Sequence, residues 1–573
     1  MRFRTCMQSI SAVLAAVGLA TLATPAIAKP GKAAEPWWKS AVIYEIYPRS
    51  FQDTNGDGIG DLNGITRRLD YLKTLGVDAI WITPFFPSPN VDFGYDVSDY
   101  TSVSPEYGTM ADWDRLSREA RKRGIRILVD FVLNHSSDQH PWFKESRSSR
   151  TNPKRDWYVW HDPAPGGGPP TNWQSIFGGS TWEYDKPTGQ YYYHIFYKQQ
   201  PDLNWNSPGL RKAMHDVMRF WLSHGASGFR LDATPYLFED PNWPQDPDVA
   251  SGQPVWLKPY NSNLPSNHGA LREMRAIVDS FPGNPVLLGE NSVATFDGLR
   301  QVYGAKGDEI NLPINFLYTA VKPLDAAKFK ARIDEAELKL DGLPPVFHFS
   351  NHDTTRQWTR FGDGIYDERI ARLTAAMSLT LRGTALMYYG EEIGMSDLKP
   401  AELADFPLGP KRKVRDNRDP VRSPMQWSGS AGAGFSTGTS WLPVARTATT
   451  RNVAQQQIEP NSVYNWYLRL LTLRKNHPAL RDGAYIPLES GNSSVLAYAR
   501  QDKAGRGVLV LLNMSTQRQD LNITGWPSVQ PKSGTILMSS TPAGPVNLAD
   551  PILEPYASVL VGYQLQGPAA TRR

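Results

Sequence analysis

Apolar runs that turn polar at their C-terminal ends recur along this chain. Residues 130–135 read Asp-Phe-Val-Leu-Asn-His, 228–233 Gly-Phe-Arg-Leu-Asp-Ala, 286–291 Val-Leu-Leu-Gly-Glu-Asn and 349–353 Phe-Ser-Asn-His-Asp. A parallel strand covered on both faces reads as a continuous apolar run, and a barrel strand delivers reactive side chains at its C-terminal end. The strand-like runs are 41–48, 79–86, 126–133, 228–234, 285–291, 309–316, 345–351 and 384–391. Amphipathic stretches lie between them, such as 110–123 ahead of Gly124 and 210–224 ahead of Gly225. A glycine just past a helical run is a C-cap signal. Eight strands alternating with helices predict an α/β fold, a (β/α)8 TIM barrel, rather than an open sheet. A doubly wound sheet is disfavoured because no Gly-rich dinucleotide fingerprint follows the first strand.

The link between the third and fourth strands is too long for a simple crossover. It is rich in Pro, Gly, Trp and Tyr, including Asp162-Pro163-Ala164-Pro165-Gly166-Gly167-Gly168 and the aromatic run Tyr191–Tyr193. Such an excursion from the C-terminal face of a barrel is usually functional. The expected layout is therefore a barrel over 37–133 and 205–481, with an inserted domain over 134–204. After a last helix at 463–474, short strand-like runs at 495–499, 507–513, 534–538 and 558–564 predict a C-terminal antiparallel β-sandwich domain over 482–566.

The N-terminus reads as a secretion signal over 1–28. Arg2 and Arg4 precede an apolar run at 10–23, and Ala26-Ile27-Ala28 is a small-x-small cleavage site. Export to the periplasm or medium, with cleavage near Ala28 and no membrane attachment of the mature form, is the expectation. The single cysteine, Cys6, lies in that leader. The mature chain would thus have no disulfide, thiolate metal site or cysteine nucleophile. The net charge of +4 comes without a basic block, so nucleic acid is not an expected partner. The 18 Trp and 25 Tyr supply flat apolar faces suited to sugars, although core packing uses most such residues.

The strand ends carry the chemistry. Arg230 and Asp232 are two apart on one strand and share a face, so the guanidinium is expected to hold that carboxylate ionised and oriented, as a nucleophile needs. Glu290 ends an apolar run, where desolvation would raise its pKa toward that of a general acid. Two carboxylates around an acetal bond make a glycosidase, and in retaining enzymes they sit ~5–5.5 Å apart. Asp353 is a third carboxylate, able to grip sugar hydroxyls. His135 and His352 are read as neutral donors to sugar oxygens.

These segments resemble the α-amylase clan of glycoside hydrolases, in its oligosaccharide-acting α-glucosidase branch of maltase and oligo-1,6-glucosidase types. Further matches are Gly94-Tyr95-Asp96, Gln200-Pro201-Asp202-Leu203-Asn204 and Arg422-Ser423-Pro424-Met425-Gln426-Trp427. The resemblance implies that Asp232 is the nucleophile, Glu290 the acid/base and Asp353 the transition-state stabiliser. It implies that Arg230, His135 and His352 line the sugar subsite and that Tyr95 stacks beneath the ring. It also implies an Asp96–Arg422 ion pair closing the pocket beyond one sugar, hence exo-action on a small oligosaccharide. A small residue after the nucleophile, here Ala233, goes in such enzymes with α-1,4 preference.

Residues 53–61, Asp-Thr-Asn-Gly-Asp-Gly-Ile-Gly-Asp, alternate oxygen side chains with glycine turns, a pattern suited to Ca2+. It departs from an EF-hand, since the twelfth position is Gly64. The resemblance implies a structural calcium, with Mg2+ as the alternative, held by Asp53, Asn55, Asp57, Asp61 and the Ile59 carbonyl. A second reading keeps the mechanism and changes the acceptor. The stretch Asp232-Ala233-Thr234-Pro235-Tyr236-Leu237-Phe238-Glu239 resembles trehalose synthases as well as maltases. It leaves glucosyl transfer or maltose–trehalose isomerisation beside hydrolysis. A catalytically silent transporter-associated relative is disfavoured by the complete carboxylate triad, and an endo-amylase by the Asp96 and Arg422 positions.

Overall fold

Eight parallel strands make the central sheet: β1 (Val42–Ile46), β2 (Ala79–Ile82), β3 (Arg126–Val132), β4 (Gly228–Asp232), β5 (Val286–Gly289), β6 (Leu312–Pro313), β7 (Val346–Phe347) and β8 (Thr384–Tyr388). Their order is β7-β8-β1-β2-β3-β4-β5-β6, and a parallel bridge between Ile314 and Val346 closes the circle. This is the computed structural model of the chain, and it describes residues 36–247, 257–406, 416–527, 530–531, 533–542 and 551–565. The expected secretion signal lies outside the described residues. Among them, no helix is long and apolar enough to cross a membrane.

Side-chain alternation explains the continuous apolar strands. Ile43, Ala79, Trp81, Leu128, Val286 and Leu288 belong to one buried cluster. Their chain neighbours Val42, Tyr44, Ile80, Ile82, Ile127 and Val129 pack with the helical residues Trp113, Leu116, Met214 and Val217 in another. Each strand is thus apolar toward the barrel interior and toward the helices. The helices begin and end where their polar residues dictate. Met110–Lys122 starts at a capping box of Thr109 and Asp112, and Pro208–Ser223 starts at Ser207, whose side chain accepts from Leu210 N. Gly124 and Gly225 follow at φ 72° and 92°, the left-handed turn that suits glycine.

β6 and β7 are two residues each, much shorter than the expected runs. Pro313 has no N–H to give the ladder, and Pro345 immediately precedes β7. At β5 the side chain of Asn311 accepts from Leu287 N in place of a strand partner.

The inserted segment folds on a three-stranded antiparallel sheet, Trp160–His161, Gln190–Tyr193 and Trp182–Asp185, with the Gln190 strand in the centre. Isolated bridges His135–Asp202 and Tyr158–Leu203 tie its ends together. Its aromatic core includes Trp173, Trp182 and Tyr193, and Ala233 and Tyr236 from the turn after β4 complete that core. The C-terminal domain has a five-stranded antiparallel sheet and a two-stranded one. Along Val495–Gln501, Ala497 and Ala499 face the domain's own core, while Leu496 and Tyr498 face the barrel helices.

β4 begins at Gly228, where φ is 142° and an added Cβ would lie 2.1 Å from the Val286 carbonyl oxygen. Gly228→Ala is expected to push β4 off β5 at a cost of about 2–4 kcal/mol. A thermal melt should show a midpoint several degrees lower, with reduced turnover because β4 also carries Arg230 and Asp232. An unchanged melt would contradict this account of the strand start.

Candidate active site

The C-terminal mouth of the barrel holds a cavity of about 630 Å3. Asp92, Tyr95, His135, Asp232, Glu290, Asp353 and Arg418 provide its polar lining, and Ile176, Phe177 and Phe196 of the inserted domain form an apolar wall. Asp232 is the last residue of β4, Glu290 follows β5, and Asp353 follows β7. The sharp turn after Asp232 is made by Ala233, at φ 50°.

Arg230 lies fully buried at the centre. Its Nη1 donates to Asp232 Oδ1 at 2.6 Å and to Asp130 Oδ1 at 3.0 Å, and its Nη2 donates to Glu290 Oε2 at 2.5 Å. Arg230 therefore does not serve Asp232 alone, as expected from the sequence; one cation serves three carboxylates. Burial pushes the Asp232 carboxyl up; Arg230 pulls it down, and Glu290 and Asp130 add to the upward push, so the net direction is upward. The apolar setting expected of Glu290 is also corrected. Its side chain is 26% exposed toward the cavity and ion-paired with Arg230.

Asp353 is oriented from both sides. His352 Nε2 lies 3.1 Å from its Oδ2, Arg422 Nη2 donates to its Oδ1 at 2.8 Å, and Arg418 Nη1 reaches the same oxygen at 3.3 Å. Burial raises this carboxyl, but the charges of His352, Arg418 and Arg422 outweigh burial and hold it well below the usual carboxylate range. Tyr95 stacks on His352 with ring centroids 5.4 Å apart and planes 9° apart, and its hydroxyl contacts His352 Nε2 and Asp130.

The two histidines differ from the expected pair of neutral donors. Burial lowers His135 to about 3, so it is neutral. Its Nδ1 faces Asn134 Oδ1, and its Nε2 faces the Gln200 amide nitrogen. Gln200 Oε1 already accepts from Tyr197 N, which sets that amide as a donor, so His135 Nε2 is an acceptor. His352 goes the other way. Despite burial, Asp353 and Glu45 raise it to about 9, and it is a cation.

The expected Asp96–Arg422 pair is not formed. Asp96 is buried and accepts from Ser88 Oγ, Val91 N and Asp92 N, so it shapes the loop. Arg422 is spent on the His352 carbonyl and Asp353. The ion pair across the pocket is Asp92–Arg418, at 2.5 Å. Both residues lie within a few positions of the expected ones, and the sequence contains no signal that chooses between two aspartates in one short motif or two arginines four apart. Glu45 and Phe177 were also missed; neither carries a local pattern that separates it from strand or loop residues.

In the 53–61 loop the expected donors turn inward on the backbone. Asp53 accepts from Asn55 N, Gly56 N and Gly58 N, and Asp61 caps the helix Leu62–Arg67 through Gly64 N. Asn55 Oδ1 accepts from Asp57 N, and Asp57 Oδ1 accepts from Ile59 N. All are hard oxygen donors with a second lone pair each, which is the right chemistry for calcium. Among the described residues, however, no three His, Cys, Asp or Glu side chains converge as a preformed metal cage.

A barrel whose mouth gathers three carboxylates beside a sugar-sized aromatic pocket is a glycoside hydrolase in fold and site. The chain belongs to the α-amylase family, whose catalytic-domain model matches residues 45–483. It is 40% identical over 518 residues to an oligo-1,6-glucosidase of Heyndrickxia coagulans, covering 84% of this chain and 92% of that one. It is 42% identical over 501 residues to a probable alpha-glucosidase of Rhizobium meliloti, covering 84% and 90%. Among solved structures, the trehalulose synthase of Pseudomonas mesoacidophila MX-45 superposes with a TM-score of 0.84 at 38% identity, covering 93% of this chain and 100% of that one. The trehalose-6-phosphate hydrolase of Bacillus licheniformis does so with a TM-score of 0.84 at 34% identity, covering 92% and 100%.

The histidines set a two-sided pH dependence of stability. Burial lowers His135 and His348 from 6.5 to about 3 and His140 to about 4. Their folded pKa values lie below the unfolded one, so this contribution is complete above pH 6.5 and is lost as the pH falls through the folded values. His352 has the opposite sign: its contribution is complete below about 6.5 and is lost as the pH rises through about 9. Thermal unfolding across this range should show its highest midpoint near neutrality, falling on both sides. A midpoint that stays level on acidification to pH 4 would contradict the buried neutral histidines.

Proposed function

We propose that this enzyme is a retaining, exo-acting α-glucosidase that removes the non-reducing terminal glucose of maltose and short α-1,4-linked malto-oligosaccharides. The observation that carries this reading is the wall made by Arg418, which joins Asp92 to Asp353 across the pocket. That wall limits the non-reducing side of the reacting bond to one sugar. Retention is supported by Arg230, whose single guanidinium contacts both Asp232 and Glu290. Such bridging favours the short carboxylate separation of ~5–5.5 Å over the ~6.5–9.5 Å of inverting enzymes. Asp232 attacks the anomeric carbon while Glu290 protonates the departing oxygen, giving a β-glucosyl-enzyme. Glu290 then takes a proton from the incoming water, and α-glucose leaves. Asp353 holds the sugar hydroxyls.

The α-1,4 preference rests on the small side chain of Ala233, which follows Asp232 and lines the pocket. Its left-handed backbone also disfavours a bulky β-branched residue there. The relatives named oligo-1,6-glucosidases make α-1,6 the linkage to test beside it. The likeness to a trehalulose synthase favours glucosyl transfer as the second reading, through the same intermediate. Export of the enzyme is proposed on the N-terminal basic, apolar and Ala-x-Ala pattern. A structural calcium at residues 53–61 is proposed on the donor chemistry: Asp53, Asn55, Asp57, Asp61 and the Ile59 carbonyl would hold it, and it would brace the loop.

Proton NMR of maltose digestion, with isomaltose, sucrose and trehalose in parallel, should show α-glucose first and little turnover of isomaltose. Early β-glucose would refute retention, and trisaccharide or trehalose ahead of glucose would move the assignment to transfer. Asp232→Asn should lower kcat by about 10⁴-fold without changing the melt; a variant keeping most activity would remove the nucleophile assignment. Chelation should lower the melting midpoint, and an unchanged midpoint in a metal-free preparation would remove the calcium proposal.

A further inference from the structure

A carboxylate in the middle of the apolar strand β1 calls for an explanation. Glu45 is 2% exposed, in the sequence Val-Ile-Tyr-Glu-Ile. An uncompensated charge at such a place costs several kcal/mol. Its Oε1 accepts from the backbone N–H of His352 at 3.2 Å and faces His352 Nδ1 at 2.7 Å. On the far side of the ring, Nε2 faces Tyr95 Oη at 2.7 Å and Asp353 Oδ2 at 3.1 Å. With a carboxylate at each nitrogen, both nitrogens carry protons and both donate.

We propose that Glu45 is a positioning residue for hydrolysis: it clamps the His352 ring so that Nε2 donates to Asp353 and Tyr95 in the sugar pocket. The proposal rests on the role given above to Asp353. The protein supplies its own contrast. His135 and His348 are equally buried, have no carboxylate at the ring, and are lowered to about 3, whereas His352 is raised to about 9. Burial acts alike on all three, so the flanking acids make the difference. Burial raises Glu45 on balance, and the charge and hydrogen bonds of His352 pull it part of the way back. Two N–H groups aimed at one oxygen favour its ionised form.

The charged and titratable groups around the His352 ring are few. Glu45 comes from β1, Asp353 from its own segment, Tyr95 from the loop after β2, and Arg422, on the His352 carbonyl, from the segment after β8. Tyr47 stacks at 6.4 Å, and Asp130 of β3 and Arg230 of β4 act at longer range, through Asp130 on His352 and through Arg230 on Glu45. Of these, Glu45 is the one acid that touches the ring without lining the pocket.

The test is the pH dependence of p-nitrophenyl α-glucoside hydrolysis by the full chain, for wild type, Glu45→Gln and His352→Asn. Glutamine keeps an acceptor for Nδ1–H and removes the charge, so His352 loses its proton at lower pH. The alkaline limb of kcat is expected to move down by about one pH unit or more, with kcat about tenfold lower and KM changed far less. Glu45→Asp should restore the limb in part. In the double variant, the loss should not exceed that of His352→Asn alone, because Glu45 acts through that ring. A folded Glu45→Gln enzyme with an unmoved alkaline limb would overturn the proposal. Should that variant not fold, His352→Asn decides: its profile must lack the wild-type alkaline limb, and a retained limb overturns the proposal. A wild type inert on α-glucosides would instead count against the reading of the function, which separates the two failures.

Discussion

The organisation of this molecule depends on one buried cation. Arg230 sits inside a barrel mouth of low dielectric, where a lone charge is costly and a paired one is held hard. Asp130 lies opposite it in the β3–β4 register, and Asp232 is two residues further along its own strand. Because side chains alternate, a slip of one residue between β3 and β4 would turn either Asp130 or Arg230 out of the mouth and leave the other without its partner. The geometry of the barrel mouth is therefore also a statement of strand register. The same guanidinium reaches Glu290 across β5, so three strands are tied at their reactive ends. Its hydrogen-bonding groups reach both Asp232 and Glu290, which couples the fold and the pocket in one residue.

The pocket walls come from chain that the barrel itself does not need. The inserted domain brings Ile176, Phe177 and Phe196, and the segment after β8 brings Arg418 and Arg422. The domain is seated by packing Trp173, Trp182 and Tyr193 against Ala233 and Tyr236. These last two lie in the turn that follows Asp232. A small residue at Ala233 thus meets two demands, a left-handed backbone and a tight aromatic contact, besides any effect on linkage. The pocket lining and the seating of the domain share atoms at this turn.

His135 lines the pocket, and His352 lies behind the lining residues Tyr95 and Asp353. Their opposite protonation shows how far partners outweigh residue type. His135 is enclosed by amides and loses its proton to burial. His352 lies between two carboxylates and keeps both. The neutral ring supplies an acceptor that fixes Gln200, which in turn donates to Asp92 at the pocket wall. The charged ring supplies positive potential behind Asp353. An electrostatic gradient across one small cavity follows from these two choices.

The local pattern was sufficient for the barrel, because a strand buried on both faces and ended by a polar residue is a short-range signal. It was sufficient for Asp232, Glu290 and Asp353 as strand-end carboxylates and for the inserted and C-terminal segments, where composition changes abruptly. β6 and β7 were drawn too long, since an apolar run does not show where pairing with the neighbouring strands stops. What the sequence left undecided was pairing. Asp96 rather than Asp92, and Arg422 rather than Arg418, were assigned to the pocket wall, because motif position says nothing about which of two like side chains turns inward. Charge states were also beyond it: Arg230 looked like the partner of one carboxylate and serves three, and His352 looked neutral and is a cation. A pKa or an ion pair is set by groups far apart in the chain, such as Glu45 and His352, and only folding brings those within hydrogen-bond reach.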